Sequence, residues 1–600
     1  MPATVPPDRP LPDPVPVLPA LPAAEPCAHS GEGPGSGMIT ETSVAGIRTL
    51  LAHRPGPVTA GLLFRVGSAD ETLATSGITH LVEHLALYRH GLGDLHYNGT
   101  TAAACTHFHV TGTTADVVEY LNGVCAALRD LPVERLETEK EILRTEAAGK
   151  AGGPARAAAA WRYGPGSYGL AAHPEYGLHK ITERDVRDWA RTWFTAENAV
   201  LWITGDTVPE GLDLGLPSGA WHPAPEPTSA LPGTPAYFHG DDGGVCLTAV
   251  VPRSTRASLF TEVLGKELFR ELRQKGGYSY TAAADYSVRD AGRATVVAYA
   301  DSLPQKQDAL VGAFVDVLAK LRAGRIEQSD LDAVRASALA RFDLPDLGAA
   351  MLPGHAVNLL LGHRNLTPAE ARAELGAVTT EDLRDVAREV WADALMQVPT
   401  ASVEWAGLTP APARSADIVE GRRRPAVADD AVSLIVGAEG VSVVAPDDRA
   451  TVRYADCVLL RTFPDGARHL VDRNGFSVTV EPSLYRIDPA ELAVVDASVP
   501  PSVVIAMPPR DPARIPRATR PGAAAAWRNP RSGLFAAAIW GLGALAVVMA
   551  AVTGVLLFHA TDPAVPVGDR DLRPVKLSGL VTVGFAVMCV ARHRRRSGRT

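Results

Sequence analysis

Residues 80–84 read His-Leu-Val-Glu-His, inside the longer run Gly77-Ile-Thr-His80-Leu-Val-Glu83-His84-Leu85. On a helix, positions i and i+4 lie one above the other, so His80 and His84 aim at one point. Glu83 stands beside His84 and reaches the same neighbourhood. Two imidazoles and one free carboxylate at one point are what a hydrolytic metal centre needs: ligands for the ion and a base for its water. The order H-x-x-E-H is the reverse of the commoner H-E-x-x-H. A single His on an apolar helix face is usually a packed core residue, and a chain with 17 His produces such pairs by chance. The surrounding sequence therefore has to support the reading.

Catalytic zinc sites take three protein ligands. The stretch Glu139-Lys-Glu-Ile-Leu-Arg-Thr-Glu146 reads as a charged amphipathic helix, with Glu139 and Glu146 seven residues apart on one face. Alone, such a pair is solvated surface. Gly67-Ser-Ala-Asp-Glu71, followed by the run from Gly77 to Leu85, resembles the pitrilysin/insulinase family, which includes the mitochondrial processing peptidase. The resemblance implies that Glu146 is the third zinc ligand and that Glu139 supports the site from behind the ligands. The 62 residues from His84 to Glu146 are somewhat short for the family, as a trimmed loop would make them. Asn98-Gly-Thr-Thr101, with Thr106-His-Phe108 after it, resembles the family's edge strand, which pairs with an extended substrate through its backbone. Gly99 and Phe108 stand where the family has Ala and Tyr, and Asn98 and Thr101 are the implied substrate-binding residues. Downstream, Glu271-Leu-Arg273-Gln-Lys-Gly-Gly-Tyr-Ser-Tyr280 resembles the signature of the family's second half, where the Arg and Tyr bind substrate and stabilise the tetrahedral intermediate.

The four motifs, in order, carry the resemblance over about residues 38–410. It implies an inverzincin metalloendopeptidase with one Zn²⁺ per chain on His80, His84 and Glu146, and Glu83 as general base. Its two halves would form a clamshell whose chamber admits unfolded or short peptides. Some family members are non-catalytic scaffold partners. Those subunits usually lose part of H-x-x-E-H, whereas this chain keeps all of it. A dedicated maturation protease for one precursor peptide is the other alternative. The resemblance leaves a single chain, a homodimer and a pair with a non-zinc partner subunit open.

An internal repeat points the same way independently. Ile181-Thr-Glu-Arg-Asp-Val-Arg-Asp-Trp-Ala-Arg191 recurs as Val378-Thr-Thr-Glu-Asp-Leu-Arg-Asp-Val-Ala-Arg388, offset by 197 throughout. A period this long means two duplicated domains. Each copy reads as a Thr-capped helix closing one α+β half. Alternating runs such as Val58–Val66 and Gly244–Val251 read as strands. The expected units are a zinc-binding half at 38–215, a Pro-rich linker at 216–235 and a second half at 236–410. The second half has no H-x-x-E-H, so it contributes Arg273 and Tyr280 rather than a metal site.

Composition bounds the rest. A chain of 600 residues sets a soft prior of about four domains. The net charge of −9, with no basic stripe in the first 400 residues, excludes nucleic acid as a partner class. Cysteines 27, 105, 125, 246, 457 and 589 show no C-x-x-C spacing, which favours reduced thiols in a cytosolic setting. Residues 1–37 are Pro/Gly-rich without an apolar core and read as a disordered lead rather than a signal peptide. Ala/Arg/Gly/Pro-rich usage suggests a bacterium of high GC content.

Residues 428–510 carry short alternating runs separated by Pro446-Asp-Asp, Pro464-Asp-Gly and Arg473-Asn-Gly, the pattern of a small all-β roll or barrel. This stretch resembles bacterial pleckstrin-like domains and shows no catalytic constellation, so it reads as a spacer or docking module. Beyond it, 533–560 has no charge and 575–591 is a shorter apolar run; both read as transmembrane helices. Arg510, Arg514, Arg517, Arg520, Arg528 and Arg531 precede the first run, and the tail 592–600 is basic. The positive-inside rule then predicts a multi-pass protein of the bacterial plasma membrane with its peptidase halves in the cytoplasm.

Overall fold

The run Ala199-Val-Leu-Trp-Ile-Thr204 is buried at every position. A strand that is apolar on both faces needs cover above and below, and that need organises the two halves. The computed structural model describes residues 39–88, 96–149, 153–240 and 243–518. The first half runs β1 (Thr40–Val44), β2 (Ile47–Ala52), β3 (Val58–Phe64), α1 (Ile78–Leu87), β4 (His96–Thr101), β5 (Thr106–Gly112), α2 (Thr114–Arg129), α3 (Leu136–Gly149), α4 (Pro154–Tyr163), α5 (Glu183–Trp193) and β6 (Ala199–Thr204). The second runs β7 (Ala236–His239), β8 (Val245–Pro252), α6 (Thr255–Leu268), β9 (Ala282–Val288), β10 (Arg293–Ala300), α7 (Gln307–Arg322), α8 (Gln328–Ala340), α9 (Leu347–Leu360), α10 (Pro368–Ala377), α11 (Thr380–Ala392), β11 (Leu395–Val398) and β12 (Thr409–Pro410).

Among the described residues each half holds one six-stranded mixed sheet, ordered β1-β2-β6-β3-β5-β4 in the first and β12-β7-β11-β8-β10-β9 in the second. The inner orders superimpose strand for strand. β2 with β6 and β7 with β11 are parallel, and the next three neighbours are antiparallel in both sheets. The duplication read from the repeat is therefore present in the topology. Only the outer strand differs: β1 pairs antiparallel with β2, whereas β12 pairs parallel with β7. The repeated helices α5 and α11 start at Thr182 and Thr379, whose side chains accept the N–H of Asp185 and Asp382. These reciprocal caps satisfy donors that a helix start leaves open.

One face of the first sheet packs against the half's own helices around Leu62, Phe64, Phe108, Leu121, Phe194 and Leu201. Its other face takes α9 from the second half: Ala349, Leu352, Ala356 and Leu360 bury against Leu50, Leu63, Val200 and Trp202. The exchange is reciprocal. From the first half, α4 lays Ala157, Ala158 and Trp161 on Ala236, Phe238 and Leu395 of the second sheet. Trp161 stacks on Phe238 with centroids 5.2 Å apart. Arg162 then ties α4 down by donating to the Asp393 carboxylate at 2.8 Å and the Thr248 carbonyl at 3.0 Å.

The third unit comprises β13 (Arg422–Pro425), β14 (Ser433–Val436), β15 (Gly440–Ala445), β16 (Asp448–Arg453), β17 (Cys457–Thr462), β18 (Arg468–Asp472), β19 (Ser477–Val480), α12 (Pro489–Ser498) and β20 (Val504–Ala506). They form sheets β13-β14-β15-β16 and β19-β18-β17-β20 around Leu434, Val443, Val452, Leu460, Leu470 and Val478. Two points differ from the sequence reading. The first sheet begins at Arg422, before the expected start at 428, because Arg-Arg-Arg-Pro is a polar edge strand with no alternation to betray it. The unit is not wholly β, since α12 closes it with Val495 in the core. Arg510, at the end of this unit, donates to Asp465 at 2.9 Å and Glu481 at 2.7 Å. The lead 1–37, the apolar runs 533–560 and 575–591 and the tail 592–600 lie outside the described residues. Among the described residues no helix is long and apolar enough to cross a membrane.

Leu352 is fully buried between the halves, so Leu352→Ala should cost about 2–5 kcal/mol. Denaturant titration checks the cost. Hydrogen exchange should show lost protection in β3 and β6, although the mutation lies in the other half. On β5, Phe108 faces the helices, so His107 and His109 face the α9 side. Burial drives the His107 pKa down to about 4, from the usual 6.5. The unfolded chain binds this proton more readily, so stability is lost as pH falls from 6.5 towards 4, by at most on the order of 3 kcal/mol. His107→Phe should flatten that part of the stability–pH curve.

Candidate metal centre

The site is built on α1, and α1 is fixed from the loop before it. Arg65 is fully buried and donates to Asp70 at 2.9 Å, to the Ala104 carbonyl at 2.8 Å and to the His222 carbonyl at 3.1 Å. The next residue, Glu71, accepts the N–H of Gly77 at 2.8 Å and of Thr79 at 2.9 Å, capping α1 from outside the helix. Burial pushes the Glu71 carboxyl up to about 7, against the pull of those two donors. Gly77 has φ +92, and a Cβ there would lie 2.9 Å from the Glu175 Cβ. Ile78, Leu81, Val82, Leu85 and Ala86 then bury the inner stripe of α1. His80 and His84 are left on the flank, with ring centroids 4.9 Å apart.

Opposite α1 stands α3. Glu146 places one oxygen 3.8 Å from His80 Nε2 and the other 3.6 Å from His84 Nε2. The three donor atoms lie within 4.8 Å of one another. Zinc bonds of 2.0–2.1 Å in a tetrahedron put neighbouring donors about 3.4 Å apart, so this His₂Glu set is close to the size that zinc requires. The outward nitrogens are also engaged. His84 Nδ1 lies 3.3 Å from Glu139, which is buried and also accepts from Arg135 at 3.0 Å. His80 Nδ1 lies 3.0 Å from Glu175. Such carboxylates fix the ring orientation and tautomer of a metal-binding His. The sequence reading found Glu139 and missed Glu175, which belongs to no motif and lies 95 residues from its partner.

Glu83 is buried beside these groups, and burial raises its pKa, while His80, Thr101 and His84 pull it down. Its carboxylate rests against β4. Thr101 donates to it at 2.8 Å, and a Cβ on Gly99 would lie 2.4 Å from Glu83 Oε1. The glycine is thus what admits the carboxylate. Thr101, expected to hold substrate with Asn98, turns its hydroxyl to Glu83, because α1 packs beside β4. Asn98 is exposed and accepts the N–H of Gly99 at 2.9 Å. β4 is an edge strand, paired with β5 alone among the described residues.

Arg273 lies on a widened turn after α6, where the Gly276 N–H bonds back to Glu271 at 2.9 Å. Its guanidinium sits 4.8 Å from the Tyr280 ring and 5.0 Å from the Phe269 ring, and Tyr280 is 76% exposed. The structure thus pairs Arg273 with Tyr280. Among the described residues neither makes a hydrogen bond or ion pair to His80, Glu83, His84 or Glu146.

Residues 246–338 match the family model described as the Peptidase M16 inactive domain. That stretch lies in the second half; it contains Arg273 and Tyr280 and excludes the His–Glu cluster. No curated protein matches the chain in sequence. By structure the chain is similar to the peptidase M16 inactive domain from Pseudomonas fluorescens, at 15% identity and TM-score 0.51, covering 61% of this chain and 99% of that one. It is also similar to the first half of the periplasmic protease PqqL from Escherichia coli, at 14% identity and TM-score 0.50, covering 62% and 93% respectively. The whole of that protease gives 13% identity and TM-score 0.50, covering 68% and 55%. The fold is therefore M16-like, α+β with mixed sheets. The match and the fold together support the pitrilysin/M16 family, without singling out a member.

Proposed function

We propose that the protein is a zinc-dependent endopeptidase acting on unfolded or short peptides. The observation that carries this reading is the convergence of His80 Nε2 and His84 Nε2 on the two oxygens of Glu146, at 3.8 and 3.6 Å, with buried Glu83 alongside. Zinc, when bound, would supply Lewis acidity and a water acidified towards about 7. His80, His84 and Glu146 would hold it, one ion per chain. Glu83 takes the proton of the attacking water and delivers it to the leaving amine. Thr101 steadies Glu83 between those steps. The free edge of β4 at Asn98 receives an extended peptide as an added strand. Arg273 and Tyr280, from the second half, bind substrate carbonyls and stabilise the oxyanion.

A second reading is a non-catalytic scaffold partner, favoured by the match to a domain described as inactive. That match covers only the half without H-x-x-E-H. Elemental analysis of the full chain should find about one zinc, lost in His84→Ala. Glu83→Gln should keep the zinc and lose cleavage of an unfolded peptide by about 10²–10⁴-fold. Wild type without zinc overturns the metal site; zinc without any cleavage selects the scaffold.

The chain is further proposed to be anchored in a bacterial plasma membrane by 533–560 and 575–591, with both halves cytoplasmic. The uncharged first run and the arginines outside both runs support this topology. A reporter fused after Thr600 that works only in the cytosol should be active. A reporter active outside would overturn the two-span arrangement.

A further inference from the structure

The site reading leaves Glu175 and the third unit without a role, and the two are adjacent. We propose that Glu175 is a positioning residue for His80, and that the C-terminal β unit sets it by bracing the turn that carries it. The inference rests on the zinc reading above.

Glu175 stands to His80 as Glu139 stands to His84, with oxygen-to-Nδ1 distances of 3.0 and 3.3 Å. Their supports differ. Glu139 is carried by α3, a regular helix of 14 residues, whereas Glu175 only caps the single short 3₁₀ turn Tyr176–His179. Inward, that turn is pressed on the start of α1. A Cβ on Gly177 would lie 2.5 Å from the Thr75 carbonyl carbon, and the Gly177 N–H donates to Ser76 at 3.3 Å.

Outward, the turn is covered by the β unit. The Arg461 guanidinium of β17 lies 4.4 Å from the Tyr176 ring, next in sequence to Glu175. Leu459 and Ile505 are fully buried against Leu73, Ala74 and Leu170. Lys180, just after the turn, donates to the carbonyls of Pro501 at 3.1 Å and Ser502 at 2.7 Å, ahead of β20. The turn is thus held between α1 and the β unit, and Glu175 projects from it onto His80. A unit that only spaced the peptidase from a membrane would not need this interface.

The test measures zinc affinity of the full-length chain by chelator competition, with zinc alone as the probe. Glu175→Gln should weaken zinc by about 10–100-fold, the range for carboxylates that orient a ligating His. Glu175→Asp should recover part of the loss, and Glu139→Gln calibrates the corresponding arm on His84. Arg461→Ala should weaken zinc several-fold in the wild-type background and add nothing to Glu175→Gln, since both act through one contact. Arg461→Lys, which keeps a cation near Tyr176, should restore it. Thermal melts establish that each variant is folded. Unchanged zinc affinity in folded Glu175→Gln overturns the positioning role. Equal losses from Arg461→Ala in both backgrounds, or none in either, overturn the role of the β unit. Absence of zinc in wild type is the separate failure of the metal reading, and this inference falls with it.

Discussion

Each half contains a sheet whose central strands are apolar on both faces, and each half packs its own helices on one face only. The exchange of α4 and α9 resolves this. Leu352 and its neighbours cover Trp202 and Val200, while Trp161 covers Phe238. Neither sheet is enclosed by its own half, so the halves are bound by core burial rather than by a surface contact. Core burial of this kind resists separation, because opening it exposes apolar strand faces to water. It also holds the H-x-x-E-H half and the Arg273/Tyr280 half in one body although the linker between them has no regular structure.

Within that body the metal centre depends on a chain of buried polar contacts rather than on packing alone. Arg65 holds Asp70, Glu71 caps α1, and α1 presents the two His residues. Every step is a charged or polar group removed from water and matched by partners, which is costly to leave unsatisfied. The arrangement places both His Nδ1 atoms on carboxylates and leaves both Nε2 atoms directed at Glu146. The third unit reaches the same region from outside: it packs on Leu73 and Ala74, just before α1, and on the stretch from Leu170 to Lys180.

Much of this was legible in the sequence because it is local. His80, Glu83 and His84 share a helix turn, and Glu139 and Glu146 share a helix face, so their spacing carried their geometry. The Thr caps of α5 and α11 were readable for the same reason, since each cap spans four consecutive positions. The strands β14 to β17 and β19 announced themselves by alternation and turn residues, whereas β13, three arginines and a proline, did not. That Thr101 meets Glu83 was not legible, because its position on β4 was visible but the helix packed beside it was not.

By itself, then, the sequence determined the duplicated α+β halves, the helix that bears the ligands and the types of residue that could bind metal. These follow from periodicity and short-range spacing, which the backbone geometry of helix and strand enforces. Only the tertiary structure decided which helix covers which sheet, that Glu175 meets His80, that Gly99 makes room for Glu83, and that the β unit rests against the turn beside the metal centre. Those contacts join residues far apart in the chain. They are selected by the global burial of apolar faces, a property of the whole fold that no local stretch of sequence records.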